Sequence, residues 1–210
     1  MFRQIENVVF DLGGVLVDLD IERCRAAFRS LGMEAAARLV DPCYPAEVFG
    51  LLEGGRIDFA EACERLRTLS ATPEVDDERI AWAFGEFLTG VPQRKVEQIA
   101  QLRERGIRTY VLSNNNPASM RFIRAMFAEG GRTMDDCFDK IYLSYELGML
   151  KPSPEIFRAM LADSGMQPDR TLFIDDGEKN VATACELGLA VYRPAAGEDF
   201  GHLLDQIGRP

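Results

Sequence analysis

The chain has 210 residues, enough for one large domain or for a domain with a modest insertion. Hydrophobic residues make up 47% of it and charged residues 28%, a balance that fits a globular protein and argues against disorder. Its net charge of −10 argues against nucleic acid and anionic membranes as partners. No long apolar segment follows Met1, so neither a secretory signal nor a membrane-spanning helix is expected.

The first predicted element is a buried strand over residues 6–10, which leads into the glycine-rich turn that begins at Asp11. From residue 17 to about residue 90 the apolar residues recur at helical spacing, with no convincing strand run. This stretch is therefore predicted to be an all-helical insertion. Its predicted helices are residues 20–31, 34–40, 45–53, 59–69 and 76–88.

The rest of the chain alternates short apolar runs with helical patterns, which is typical of repeated βα units and a parallel sheet. Asn116 and Ser153 each precede a proline, so both are predicted to cap helices. The predicted strands are residues 108–113, 140–144, 170–174 and 189–192, and the predicted helices are residues 92–105, 117–129, 154–164 and 178–187. The fold class predicted is α/β, a Rossmann-like, doubly wound parallel sheet with an inserted all-helical cap.

The cysteines are five in number, scattered, and form no Cys-x-x-Cys pair, which favours reduced thiols in a cytoplasmic protein. His202 is the single histidine, which disfavours histidine-based metal sites and triads. Chemistry in this chain must therefore rely on carboxylates, lysine, hydroxyl groups and the backbone.

Polar groups suited to phosphoryl transfer follow several of the predicted strands. Asp11 could act as a nucleophile, although an isolated aspartate before two glycines is more often a turn residue. Ser113 and Asn114 offer a hydroxyl and an amide ahead of a helix N-terminus that favours an oxyanion, and they could equally be caps.

Lys151 follows the third core strand and could offset phosphoryl charge, although most single lysines are solvated surface residues. Asp175 and Asp176 follow another buried strand, where adjacent carboxylates repel each other unless a cation satisfies them, and Mg²⁺ is the natural choice. A pair of acids at a helix N-terminus is the simpler interpretation. Asn180 lies one helical turn further on and could hydrogen-bond back to this loop.

These motifs occur in the order Asp11-Leu12-Gly13-Gly14-Val15, Ser113-Asn114, Lys151-Pro152 and Asp175-Asp176, and together they resemble the four motifs of the haloacid dehalogenase-like hydrolase superfamily. The helical insertion resembles the type 1 cap of that superfamily. The resemblance implies a core of residues 1–16 and 91–210 and a cap of residues 17–90. The runs Tyr142–Pro152, Phe173–Asp176 and Glu53–Asp58 resemble the bacterial branch of sugar-phosphate phosphatases that includes α-glucose-1-phosphatase-like proteins.

The resemblance also implies a role for each motif residue. Asp11 would be the nucleophile and a Mg²⁺ ligand, Gly13 would offer its carbonyl to the metal, and Asp176 would ligate it directly. Asp175 would hold the metal directly or through water. Ser113 and Asn114 would bind the phosphoryl oxygens, and Lys151 would bridge Asp11 and the phosphoryl group. The implied activity is Mg²⁺-dependent hydrolysis of a small phosphorylated metabolite, a hexose phosphate being one candidate.

Gly13 departs from the family pattern, because most of its phosphatases carry there an aspartate that protonates the leaving group and activates water. Asp18 or Asp20 could substitute through a water, or both could cap the following helix. An anomeric or aryl phosphate would depend less on the missing acid.

Two other functions stay open at this point. Hydrolysis of a carbon–halogen bond by Asp11 needs no second aspartate, but it gives the pair Asp175-Asp176 no purpose. A non-catalytic protein that binds a phosphorylated metabolite has no need of the nucleophile. In the cap, the possible substrate contacts are Arg23, Tyr44, Arg56 and Trp82, although a lone tryptophan more often fills a core.

Overall fold

A computed structural model of the chain describes residues 4–40 and 47–208. Its strands are β1 (Asn7–Phe10), β2 (Asp18–Leu19), β3 (Leu88–Gly90), β4 (Arg108–Ser113), β5 (Lys140–Leu143), β6 (Thr171–Ile174) and β7 (Ala190–Tyr192).

The helices alternate with the strands after β3, and five of them separate β2 from β3. They are α1 (Ile21–Ser30), α2 (Glu34–Leu39), α3 (Glu47–Glu53), α4 (Phe59–Ser70), α5 (Asp77–Gly85), α6 (Gln93–Glu104), α7 (Pro117–Glu129), α8 (Met134–Cys137), α9 (Ser144–Leu147), α10 (Pro154–Ser164), α11 (Glu178–Glu186) and α12 (Gly201–Leu204). Within the described residues, no helix combines the length and the apolar character needed to cross a bilayer.

A five-stranded sheet in the order β5-β4-β1-β6-β7 forms the centre of the molecule, and every pairing in it is parallel. Helices pack on both faces of this sheet, so the predicted α/β fold with a parallel, Rossmann-like sheet is confirmed. The strand β1 is buried at all four positions because it lies between β4 and β6. The carboxyl ends of β1, β4 and β6 therefore open at one edge of the sheet.

The helices α1 to α5 have a hydrophobic core of their own. At its centre the rings of Phe28, Phe49 and Phe84 meet edge to face, with centroids 5.3–6.0 Å apart. The side chain of Phe87 packs against both this core and the core of the sheet.

The prediction of a purely helical stretch between residues 17 and 90 is wrong at its two ends. Residues Asp18–Leu19 and Leu88–Gly90 form a two-stranded antiparallel sheet, so the helix predicted over 76–88 ends at Gly85. Such short strands carry no periodic signal. The start of the helix predicted over 45–53 lies partly outside the described residues, within which α3 begins at Glu47.

The two predicted caps have different outcomes. The side chain of Asn116 accepts a hydrogen bond from the Ser119 N–H at 3.0 Å, so this cap is confirmed. The Ser153 hydroxyl instead donates to the Glu155 carboxylate and makes no side-chain bond to the N-terminus of α10, so this prediction is wrong.

Candidate active site

Three carboxylates meet where β1 and β6 end. Asp11 directly follows β1, and Asp175 and Asp176 directly follow β6, its parallel neighbour, in a register that pairs Phe10 with Ile174. One oxygen from each of the three acids lies within 4.8 Å of the others. The parallel pairing of β1 and β6 is therefore enough to bring the three acids to one edge of the sheet.

Lys151 supplies the positive charge at this cluster. Its Nζ lies 2.9 Å from Asp11 Oδ1 and 2.6 Å from Asp175 Oδ2, and its side chain is only 1% exposed. Burial alone would lower the pKa of this lysine, but the charges of Asp11 and Asp175 outweigh it and raise the pKa above the ordinary value. The side chain is therefore a buried ammonium group held between two carboxylates.

Asp175 is fixed more firmly than its neighbours. Its Oδ1 accepts hydrogen bonds from the Gly177 N–H at 2.8 Å and from Asn180 Nδ2 at 2.9 Å, while its Oδ2 accepts from Lys151. The bond from Asn180 is the one predicted from its position one turn along the helix. Because donors already engage both oxygens, this carboxylate orients Lys151 and shapes the loop.

The end of β4 is tied to the lysine loop through the side chain of Asn114. Asn114 Oδ1 accepts from the Lys151 N–H at 2.8 Å, and Asn114 Nδ2 donates to the Lys151 carbonyl at 2.9 Å. Next to it, Ser113 is buried, and its hydroxyl lies 3.3 Å from the Asn114 carbonyl. Both predicted phosphate-binding residues therefore lie at the cluster, with the Asn114 side chain committed to the backbone of Lys151.

The cluster carries more negative than positive charge. Burial raises the pKa of Asp11 to about 6, with Lys151 lowering it and Asp175 raising it, and burial together with Asp175 also raises the pKa of Asp176. Apart from its ion pair with Lys151 at 2.9 Å, the buried Asp11 Oδ1 has no hydrogen-bond donor within the part of the chain that the structure describes. Three carboxylates against one ammonium group leave a net negative charge, and oxygen donors of this kind suit a divalent cation such as Mg²⁺. The residues present therefore fit that metal.

Two glycines shape the turn after β1. Gly14 has φ +72°, and a Cβ there would lie 2.3 Å from Asp176 Oδ2, so the close approach of the turn to this acid requires glycine. At Gly13, a Cβ would lie 3.2 Å from Leu19 Cδ1. The side chain of Leu19 thus lies beside the position where an acid was expected.

Glu53, the last residue of α3, also belongs to this site, although no role at the site was predicted for it. Burial and, to a smaller degree, the charge of Asp11 raise the pKa of its carboxyl group to about 7, against a lowering by the charge of Lys151. These interactions place a fourth carboxyl group near the cluster. The pair Gly54-Gly55 after Glu53 is typical of a turn between helices, but the sequence carries no signal for the direction in which that turn faces.

The possible cap contacts have different surroundings. Arg23 forms an ion pair with Glu86 at 2.6 Å, and Trp82 is 42% exposed and so does not fill the core of the helices. Arg56 lines a groove of about 310 Å³ together with Pro117 and Tyr145, where the α3–α4 turn meets the sheet-based part of the molecule. Tyr44 lies outside the described residues.

The chain matches the family model "haloacid dehalogenase-like hydrolase" over residues 5–188. Among characterised proteins it is 38% identical over 204 residues to the D-ribitol-5-phosphate phosphatase of Bacteroides thetaiotaomicron, an alignment that covers 97% of this chain and 98% of the relative.

Solved structures agree with this similarity. A haloacid dehalogenase family enzyme from Bacteroides thetaiotaomicron, an aspartate-to-alanine variant in complex with magnesium and inorganic phosphate, superposes with a TM-score of 0.91 at 38% identity, covering 95% of this chain and 98% of that one. A haloacid dehalogenase-like hydrolase from Porphyromonas gingivalis superposes with a TM-score of 0.89 at 38% identity, covering 97% of each chain.

Proposed function

This chain belongs to the haloacid dehalogenase-like hydrolase family, and from that membership we propose that it hydrolyses the phosphate monoester of a small sugar or sugar alcohol through a phosphorylated Asp11. The observation that carries the proposal is the buried Lys151 ammonium group, which touches both Asp11 and Asp175 while Asp176 lies beside them. This arrangement combines a nucleophile, a buried ammonium group and two further carboxylates suited to Mg²⁺ in one place.

The chain's own residues divide the work as follows. Asp11 attacks phosphorus, the bond to the leaving oxygen breaks, and water later attacks the aspartyl-phosphate and releases Asp11 with inorganic phosphate. The Lys151 ammonium group offsets the charge on Asp11 and on the phosphoryl oxygens. The Ser113 hydroxyl, the Asn114 backbone N–H and the N-terminus of α7 bind those oxygens. The Asn114 side chain holds the backbone of Lys151 in place.

Mg²⁺ would be held by Asp11, Asp176 and the carbonyl of Gly13, with Asp175 acting on it through water because donors already engage both of its oxygens. When bound, this ion offsets the negative charge that develops on the phosphoryl oxygens. The same charge balance disfavours carbon–halogen hydrolysis, which has no use for the two acids after β6. Purely non-catalytic binding is disfavoured because it leaves the contact between Lys151 and Asp11 without a purpose.

The relative that acts on D-ribitol 5-phosphate supports a sugar or sugar-alcohol phosphate as the substrate class. The net charge of −10 argues against a nucleic acid as the substrate.

We propose that residues 17–90 cover the site as a cap while residues 1–16 and 91–210 perform the chemistry. Arg56, in the groove between the two parts, is the candidate for contact with substrate hydroxyl groups. A cytoplasmic location, predicted from the scattered cysteines, is part of the same proposal.

The test is phosphate release from a panel containing ribitol 5-phosphate, hexose phosphates, a nucleotide and 4-nitrophenyl phosphate. The wild type is assayed with Mg²⁺ and with EDTA, beside Asp11→Asn and Asp176→Asn. We expect turnover only with Mg²⁺, none in Asp11→Asn, and a higher Mg²⁺ requirement in Asp176→Asn. Turnover in EDTA, or chloride release from 2-chloropropionate by the metal-free protein, would contradict the proposal.

A further inference from the structure

The turn after β1 has no acid of its own to protonate a leaving group. The space beside Gly13 is taken by the side chain of Leu19. Of the two acids that could have substituted, Asp20 accepts hydrogen bonds from the first N–H groups of α1 and so serves as its cap. Asp18 is half exposed and lies 3.6 Å from Lys95 Nζ. Both carboxylates thus have structural partners away from the cluster.

Glu53 is held in position by contacts between its backbone and the loops around the site. Its carbonyl accepts a hydrogen bond from the Ser144 hydroxyl at 2.7 Å, and the oxygen of that hydroxyl accepts a hydrogen bond from the Asn115 N–H at 3.0 Å. Two residues on, Gly55 has φ +63° and packs so closely that a Cβ would lie 2.3 Å from the Tyr145 carbonyl. The end of α3 is therefore held on the start of α9 and, through the Ser144 hydroxyl, on the loop that follows β4.

The carboxyl group of Glu53 lies within electrostatic reach of the reacting groups. Among the described residues, the charges that act on it are those of Asp11 and Lys151, the proposed nucleophile and its cation. Burial raises its pKa to about 7, so both the protonated and the ionised form are populated near neutral pH. A group of this kind can give a proton in one step and take one back in the next.

We propose, building on the phosphatase function above, that Glu53 of the helical insertion is the general acid and base that position 13 lacks. As Asp11 attacks phosphorus and the bond to the leaving oxygen breaks, the Glu53 carboxylic acid gives its proton to that oxygen, and the products are the free alcohol, aspartyl-phosphate and Glu53 carboxylate. The carboxylate then takes a proton from the water that attacks phosphorus. The bond from phosphorus to Asp11 breaks, which releases phosphate and restores both residues.

The assignment predicts a dependence on the leaving group that a structural role would not produce. In Glu53→Gln, kcat/KM for ribitol 5-phosphate or a hexose phosphate should fall about 100-fold or more, because an alkoxide leaves poorly without a proton. For 4-nitrophenyl phosphate, whose anion is stable near neutral pH, kcat/KM should stay within about 3-fold of wild type. With this ester the variant should also show a burst of nitrophenol release, since hydrolysis of aspartyl-phosphate becomes slow.

Glu64→Gln is the matched control, because Glu64 is an exposed glutamate on the neighbouring helix α4, and it should behave as wild type on every substrate. Thermal unfolding of both variants confirms that they are folded. An equal loss of kcat/KM on alkyl and aryl phosphates by a folded Glu53→Gln, or no loss on either, would overturn the role of Glu53. Failure of the phosphatase function is a different result, because the wild type would then turn over none of these esters.

Discussion

Replacing Lys151 by methionine tests whether the ammonium group is what allows the acids to be buried together. The Lys151 Nζ–Asp175 Oδ2 and Lys140 Nζ–Asp163 Oδ2 distances are both 2.6 Å, but the first lysine side chain is 1% exposed and the second 51%. At an effective dielectric constant of about 20, a pair at this distance gains roughly 6 kcal/mol. Desolvation offsets part of that, and removing one partner of a buried pair costs about 3–5 kcal/mol, whereas an exposed pair contributes about 1 kcal/mol or less.

Urea unfolding in EDTA measures the difference, with Lys140→Met as the control for loss of a lysine charge at an equal distance. With a slope of about 2 kcal/mol per molar urea, Lys151→Met should lower the midpoint by about 1.5–2.5 M and Lys140→Met by about 0.5 M or less. Adding Mg²⁺ should raise the midpoint of Lys151→Met more than that of the wild type, because the cluster then carries an extra uncompensated charge. Equal shifts for the two variants in EDTA would refute the reasoning.

Three further predictions concern the groups around Lys151. Gly14→Ala should weaken Mg²⁺ binding about 10-fold or more by calorimetry, because its Cβ would displace Asp176; unchanged affinity would contradict the metal assignment. The pKa of Asp11 is raised to about 6, so the folded protein holds this proton more tightly than the unfolded chain, and that stability is lost as the pH rises from about 4 to 6. In EDTA at pH 8, the free energy of unfolding from urea denaturation should therefore be higher for Asp11→Asn than for wild type, by up to about 3 kcal/mol, and this difference should be smaller at pH 5. A difference that does not change with pH would contradict the prediction. Gly55→Ala should lower kcat/KM for a sugar phosphate about 10-fold by pushing the turn away from the Tyr145 carbonyl, and wild-type kinetics in that variant would show that this contact does not position the turn.

The sheet could be predicted because its signals are local and strong. The central strands β1 and β6 are short runs buried at every position, and β4 is buried at all but its first. The bounds of β4 and α7 were predicted without error from such runs and from the Asn116 cap. The antiparallel pair β2–β3 could not be predicted, because two or three residues show no periodicity and their partners lie about 70 residues apart along the chain.

The site, too, has features that could be predicted from the sequence and features that could not. Asp11 and Asp175 were found because each is the first residue after a strand of a parallel sheet, so the topology alone brings them to one edge. The commitment of the Asn114 side chain to the backbone of Lys151 depends on a loop conformation that no pattern encodes. Glu53 was missed because its position depends on how a helical layer docks on the sheet.

The short β2–β3 pair has a consequence for how such proteins diversify. Asp18 of β2 and Gly90 of β3 pair with each other in the short two-stranded sheet, and the whole helical segment lies between them along the chain. The segment between them is thus closed like the loop of a hairpin, and the entropic cost of closing a loop grows only with the logarithm of its length. The intervening segment, which carries Glu53 and Arg56, can therefore be replaced by another of different length, while the strands that precede Asp11 and Asp175 keep their register.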